Sequence, residues 1–153
     1  EIDLSGQHIY SNQSLLNLLG YDPDKIVGRF YSDFLHEDDA QAVQKLFSKF
    51  VTEKRGWHGW VLRWRHRDGN YRFLESNATP IFNSAGEVVG FRGADRDITE
   101  RKQAHEAQRR LAATAEAQRA QAAADAAAEA TKAMLSLDDA AAVGEHAQQR
   151  DNI

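Results

Sequence analysis

The chain has 153 residues, a formal net charge of −4 and no cysteine. Without cysteine it cannot form disulfides, cysteine-ligated metal centres or a cysteinyl-flavin adduct, and no run of about eighteen apolar residues is available to span a membrane. The mild acidity argues against general nucleic-acid binding. These features predict a cytoplasmic protein without direct membrane insertion. Because the chain begins without Met and stops abruptly, we expect a fragment of a longer protein.

Composition divides the chain into two unlike parts. All fourteen aromatic residues lie between Tyr10 and Phe91. From residue 104 to residue 142, 18 of 39 residues are alanine, and no glycine, proline or aromatic residue interrupts them. Residues that favour helices dominate this second part, which predicts one long helix. We therefore expect a folded domain over residues 1–99 and an alanine-rich linker or output helix over residues 100–153.

The folded part opens with short elements. A strand at Ile2 is followed by a turn and a return strand over residues 8–11. Short helical pieces are predicted next, over residues 13–19, 22–28 and 31–35. Gly20 ends the first of these in a left-handed cap.

A longer helix follows, which Asp38 or Asp39 is expected to cap and which runs to about Thr52. Apolar residues at spacings of three and four predict its buried face: Val43, Leu46, Phe47 and Phe50.

After Gly56 the apolar period becomes two, which is typical of strands. Trp60, Leu62 and Trp64 alternate with Val61, Arg63 and Arg65. The segment Arg67-Asp68-Gly69-Asn70 predicts a hairpin turn. Two further strands are expected over residues 71–81 and 88–95. The element order predicts an α+β fold, with a five-stranded antiparallel sheet covered on one face by short helices.

Several short segments, in this order and spacing, resemble a PAS domain, the sensor module of bacterial signalling proteins. The resemblance covers residues 1–102 and rests on these segments: Tyr10-Ser11-Asn12, Leu18-Leu19-Gly20-Tyr21, Ile26-Val27-Gly28-Arg29, His36-Glu37-Asp38-Asp39, Arg67-Asp68-Gly69-Asn70, Gly86-Glu87-Val88-Val89-Gly90 and Asp95-Arg96-Asp97-Ile98-Thr99-Glu100-Arg101-Lys102. It implies a cavity between the sheet and the helices, and a junction that joins the last strand to an output helix.

Strand parity and helix periodicity predict which side chains face that cavity. The candidate ligand-binding residues are Ile26, Val43, Phe47, Trp60, Leu62, Trp64, Leu74, Ser76, Phe91 and Asp95. An alternative is that the same residues fill the interior completely, which would make the domain a structural spacer that binds no ligand.

A heme or flavin redox sensor is a third possibility that the residues disfavour. Tyr31 occupies the position of the reactive cysteine in related flavin photosensors, and Val43 occupies the position of a heme-ligating histidine in one subtype. His36 fits a helix-entry residue better than a metal ligand, and isolated histidines do not predict a metal site. We therefore expect no heme, no flavin and no metal.

Asp95 stands out because strand parity places a carboxylate on the inward face. A buried carboxylate needs a partner or a polar ligand, and Arg29, Arg63 and Arg92 are the candidate partners. The resemblance implies that Asp97, Ile98 and Thr99 relay a signal to the helix.

The function predicted is a sensory and dimerisation module of a bacterial signal-transduction protein. It has no catalytic residues of its own, since no phosphate-binding loop or nucleophile motif is present. The alanine-rich helix is expected to pair with a second copy, with Leu111 at a core position, and to break near Leu135. Residues 123–133 resemble the alanine-rich run that precedes the phosphoacceptor motif of sensor kinases. This resemblance implies an effector domain in the parent protein, a histidine kinase first and a diguanylate cyclase second.

Overall fold

The computed structural model describes the backbone of residues 1–150 and the side chains of residues 1–136. Its strands are β1 (Ile2–Asp3), β2 (Trp57–Arg65), β3 (Tyr71–Phe82) and β4 (Val88–Asp97). Its α-helices are α1 (Ser14–Leu19), α2 (Glu37–Thr52) and α3 (Thr99–Arg150), and short 3₁₀ turns cover Pro23–Lys25 and Tyr31–Asp33. The chain forms two compact units, residues 1–104 and the residues from 105 onward.

The sheet is antiparallel, with the strand order β1-β4-β3-β2. It has four strands within the described part of the chain, so the expectation of five is wrong. The return strand predicted over residues 8–11 forms only one isolated bridge, between His8 and Ile2. The reason is that a loop takes its hydrogen bonds: the His8 N–H donates to the Arg29 carbonyl (2.9 Å) and the His8 carbonyl accepts from the Gly28 N–H (2.7 Å).

Local signals place the helix ends. Gly20 has φ 76° and donates its N–H to the Leu16 carbonyl, which confirms the left-handed cap. The N-cap of α2 is His36 rather than Asp38 or Asp39, because the His36 Nδ1 accepts from the Asp38 N–H at 3.3 Å. The Asp39 carboxylate is thereby free to bind elsewhere.

Two adjoining apolar clusters form the interior beneath the sheet. Val43 and Phe50 on α2 are buried, as the spacing predicts, and Phe47 is half-buried between the two clusters. Leu46 is exposed, so its assignment to the buried face is wrong. It lies at the margin of the apolar stripe, one residue before Phe47.

Helix α3 runs without a break from Thr99 to Arg150, so the expected break near Leu135 is wrong. The Ser136 hydroxyl donates to the Ala133 carbonyl at 2.8 Å, which keeps it within the helix instead of capping a new one. Among the described residues, no helix combines the length and the apolar character needed to cross a bilayer.

Candidate ligand cavity and helix junction

A cavity of about 490 Å³ lies between the inner face of the sheet and the helical segments. A volume of this size is typical of small-molecule sites. Eight of the ten residues predicted for the cavity line it: Ile26, Val43, Trp60, Leu62, Trp64, Ser76, Phe91 and Asp95.

The other two predicted residues lie elsewhere. Leu74 is 0% exposed and packs in the apolar core opposite Leu62. Phe47 borders a separate open groove along α2, and its ring centroid is 5.3 Å from that of Phe91. Strand parity assigns a side chain to a face of the sheet, but it does not tell whether a neighbouring side chain covers it.

Sequence reasoning missed several residues of the cavity wall. Trp57 has the wrong parity relative to Trp60, yet a bulge between them brings it onto the wall opposite Ala78. Gly59, at φ 66° within the strand, is the signal that could have predicted this bulge. His8 also lines the wall, but nothing in the local pattern marks it, because a loop brings it there.

Two of the three tryptophans of the cavity wall, Trp57 and Trp64, differ in their hydrogen bonding. Trp57 donates its indole N–H to the Ser76 hydroxyl at 3.1 Å. Trp64 is 8% exposed, and its indole nitrogen has no acceptor among the described residues. A buried donor without a partner costs about 1–3 kcal/mol, so this part of the interior is not optimised for stability alone.

His8 supplies a neutral imidazole to the wall. Burial lowers its pKa, an effect that its contact with the Arg29 carbonyl only partly offsets. The Nδ1 atom lies 3.1 Å from that carbonyl oxygen. The ring packs edge-on against Phe34 and Trp64, with centroid distances of 5.9 and 6.2 Å.

Asp95 faces Ser76 across the β3–β4 ladder. Asp95 as a whole residue is exposed to solvent, yet it lines the cavity, where neighbouring protein atoms partly desolvate its carboxylate. This partial desolvation raises the pKa of Asp95, and the Ser76 hydroxyl works in the opposite direction.

None of the arginines considered as partners forms an ion pair with Asp95. Arg29 binds Asp33 at 3.1 Å, Arg63 binds Asp39 at 2.6 Å and Arg92 binds Glu1 at 2.6 Å. The side-chain ion pair considered for Asp95 is therefore absent within residues 1–136.

The junction between β4 and α3 is tied to the central strand β3. Asp97 accepts a hydrogen bond from the Thr99 N–H at 2.8 Å, and thereby caps α3. The Ile98 N–H donates to the Phe73 carbonyl, and the Phe73 N–H donates to the Thr99 hydroxyl, both at 2.9 Å. Lys102 places its ammonium 5.0 Å from the centre of the Phe73 ring.

The model of the PAS fold family matches residues 8–94, which is more than half of the chain. The chain belongs to the PAS family. This PAS domain is therefore a sensory module by family, and the fold predicted from the sequence is confirmed apart from the number of strands.

Relatives of this PAS domain include proteins named as sensors in two microorganisms. It is 33% identical over 90 residues to a methyl sulfide methyltransferase-associated sensor of Methanosarcina acetivorans, covering 58% of this chain and 9% of the relative. It is 30% identical over 108 residues to a dicarboxylate transport sensor protein of Rhodobacter capsulatus, covering 67% and 16%. The chain thus spans less than a fifth of these relatives' length.

Solved structures show the same fold. A PAS domain from Colwellia psychrerythraea is 28% identical, with a TM-score of 0.58, over 64% of this chain and 82% of that one. The PAS-B domain of Drosophila melanogaster Cycle, solved with bound ethylene glycol, is 18% identical, with a TM-score of 0.57, over 63% of this chain and 94% of that one.

Proposed function

We propose that this PAS domain binds a small molecule in the cavity and passes its occupancy through α3 to an effector domain of a longer signalling protein. One observation carries the proposal: the same strand, β4, lines the cavity and leads into α3. Phe91 and Asp95 of β4 line the cavity, and Asp97, two residues further along the same strand, caps α3.

The register of the sheet suggests how occupancy would reach the helix. Ser76 pairs with Asp95, and the next inward row pairs Leu74 with Asp97. A ligand that displaces Asp95 relative to Ser76 would change the pairing of β3 with β4. This change would lie one inward row from Asp97, which binds the start of α3. A change is transmitted only if the ligand binds the two arrangements of β4 with different affinity.

The helix supports a dimeric, multidomain parent. Over residues 105–136 nearly all of α3 is exposed, and Leu111 is 73% exposed, which leaves an apolar side chain for a second copy of the helix to cover. The relatives named as sensors are much longer than this chain. The proposed parent is a sensor histidine kinase that acts as a homodimer, with a diguanylate cyclase as the second candidate.

The cavity also bears on the two competing functions. A structural spacer needs an interior filled by side chains, whereas this one leaves about 490 Å³ between the sheet and the helices. A heme or flavin sensor would absorb visible light, and a spectrum of the purified chain tests that alternative directly.

The test of ligand binding compares the wild-type chain with a variant whose cavity is filled by a larger side chain. Ala78 is buried in the cavity wall, so Ala78→Leu extends into the void, while Ala42→Leu on the exposed surface of α2 is the matched control. Mass spectrometry of denatured samples should find a co-purified compound in the wild type and in Ala42→Leu, but not in Ala78→Leu. If no compound is found in any sample and no small-molecule probe raises the melting temperature, the ligand-binding proposal is wrong.

The relay is tested separately by amide hydrogen exchange. Exchange at residues 98–104 should differ between the ligand-loaded and extracted wild-type chain, because the backbone bonds of Ile98 and Lys102 hold this turn. Equal exchange in both states would mean that the cavity does not act on α3.

A further inference from the structure

The Asp95 carboxylate stands in the cavity wall without a cationic side chain bound to it. Within residues 1–136, the three arginines that the sequence suggested as partners bind other carboxylates. The positive charge of the Glu1 α-amino group interacts with Asp95, but this group donates its hydrogen bond to the Tyr10 carbonyl at 2.7 Å, and burial lowers its pKa. A partly desolvated carboxylate of this kind favours a positively charged or hydrogen-bond-donating partner.

The floor of the cavity beside Asp95 is made of small residues. Ser76 lies between Trp60 and Asp95 in one row across three strands. In the next row, Ala78 lies between Trp57 and Gly93. With strands about 4.8 Å apart, Trp60 and Asp95 are about 10 Å from each other across this floor. The small side chains leave room for a molecule to lie between the tryptophans and the carboxylate.

The opposite side of this floor is aromatic. The Trp57 and Trp60 rings stack at 5.9 Å, and Trp57 lies 5.3 Å from Phe91. Flat aromatic faces bind an apolar body and also attract a nearby cation. The site therefore has an apolar side and an anionic side, joined by the Ser76 hydroxyl.

We infer that the ligand of this cavity is a small organic amine, with its ammonium group held by Asp95 and Ser76 and its apolar body against Trp57 and Trp60. The inference rests on the proposed function, since it names the ligand class of the same cavity. The Ser76 hydroxyl already accepts from Trp57 and keeps a second lone pair for the ammonium.

The other titratable side chains of the wall add no unpaired positive charge. Burial favours the neutral form of His8, and Arg92 is paired with Glu1. Tyr10 and Tyr31 complete the titratable side chains along the wall, and their hydroxyls can donate or accept hydrogen bonds. A carboxylate ligand would instead bring a second negative charge to Asp95, and an alcohol would leave the Asp95 charge uncompensated.

Three probes of one shape test the inference: phenethylamine, 2-phenylethanol and 3-phenylpropionate. Their dissociation constants are measured by calorimetry on the whole chain, on Asp95→Asn and on the control Asp24→Asn, which removes an exposed carboxylate that does not line the cavity. In the wild type and the control, phenethylamine should bind at least about tenfold more tightly than 2-phenylethanol, as a charge-assisted hydrogen bond allows. In Asp95→Asn the two should bind alike, with 2-phenylethanol unchanged.

Three results would overturn the inference and have different meanings for the function. If the amine and the alcohol bind equally to the wild type, the cavity takes ligands but does not select amines. If Asp95→Asn keeps the preference for the amine, Asp95 does not hold the ammonium group. If none of the probes binds, the amine assignment is wrong, and the extraction experiment with Ala78→Leu decides separately whether the cavity has a ligand.

Discussion

The hydroxyl of Thr99, the first residue of α3, accepts a hydrogen bond of 2.9 Å from the backbone N–H of Phe73 in the central strand β3. Thr99 is 4% exposed, so water does not compete for this bond. The first turn of the helix is thereby fixed to the middle of the sheet instead of trailing from its edge. This hydrogen bond lies at the start of α3, the helix that is proposed to carry the signal from the PAS domain to the effector domain.

Replacing Thr99 by valine should destabilise the folded domain. The variant keeps the shape of the side chain but leaves the buried Phe73 N–H without its acceptor, which costs about 1–3 kcal/mol. Urea unfolding followed by circular dichroism measures the loss. Thr114→Val is the matched control, because the Thr114 hydroxyl bonds only within an exposed helical turn, to the Arg110 carbonyl. Equal stability of the two variants would contradict the anchoring role.

Asp97→Ala should uncouple output in the full-length parent protein without unfolding the PAS domain. The substitution removes the carboxylate that accepts from the Thr99 N–H at the start of α3, and the loss of such a capping bond costs about 1 kcal/mol, which is less than the stability of a typical domain. Output activity with and without stimulus, together with the melting temperature, measures the effect. A variant that melts far below the wild type, or one that responds normally, would argue against this role.

The Asp39–Arg63 pair should contribute strongly to stability above acidic pH. Asp39 is 15% exposed and accepts from both the backbone and the side chain of Arg63, linking α2 to β2. Asp39→Ala should cost about 1–3 kcal/mol in urea unfolding near neutral pH. Asp38→Ala is the control, since Asp38 is 74% exposed and reaches Arg63 only at 3.3 Å, and it should change stability by less than about 0.5 kcal/mol.

The same pair predicts a pH dependence. Burial alone would raise the pKa of Asp39, but the Arg63 hydrogen bonds outweigh it and hold the pKa below the ordinary value of 3.8. Its contribution is therefore present above that value and is lost as the pH falls through the lower, folded-state pKa. The stability gap between wild type and Asp39→Ala should close in acid, and a gap independent of pH would contradict the ionic interpretation.

Asp95 should have the opposite effect of pH on stability, because its ionisation destabilises the folded domain. Its pKa is raised by desolvation, so ionisation disfavours the folded state once the pH rises above the ordinary value of 3.8. Asp95→Asn should therefore melt at a higher temperature than the wild type near neutral pH, and the difference should vanish below that value. Thermal melts across this pH range measure it. A lower melting temperature for Asp95→Asn at neutral pH would mean that the carboxylate already has a stabilising partner.

Leu111→Glu should weaken self-association through α3. A charge at the proposed apolar position would be buried in a dimer, whereas Ala113→Glu, about 200° away around the helix, would stay in solvent. Size-exclusion chromatography with light scattering should find dimers for the wild type and Ala113→Glu, and monomers for Leu111→Glu. If wild type and both variants have the same mass, the helix does not carry the interface.

The sequence alone determined the fold and most of the inward face of the sheet. Alternation in Trp60, Leu62 and Trp64 is a local property of a strand, so it can be recognised without knowing the partners of that strand. The left-handed cap at Gly20 is equally local. These patterns were sufficient to predict eight residues of the cavity wall.

Only the tertiary structure decided that the interior contains a cavity and which further residues line it. A void depends on the summed volumes of side chains from distant segments, and no window of sequence contains that sum. Three features depend on contacts between residues far apart in the chain. They are the bulge that turns Trp57 inward, the complete burial of Leu74, and the loop that brings His8 to the wall and prevents a fifth strand.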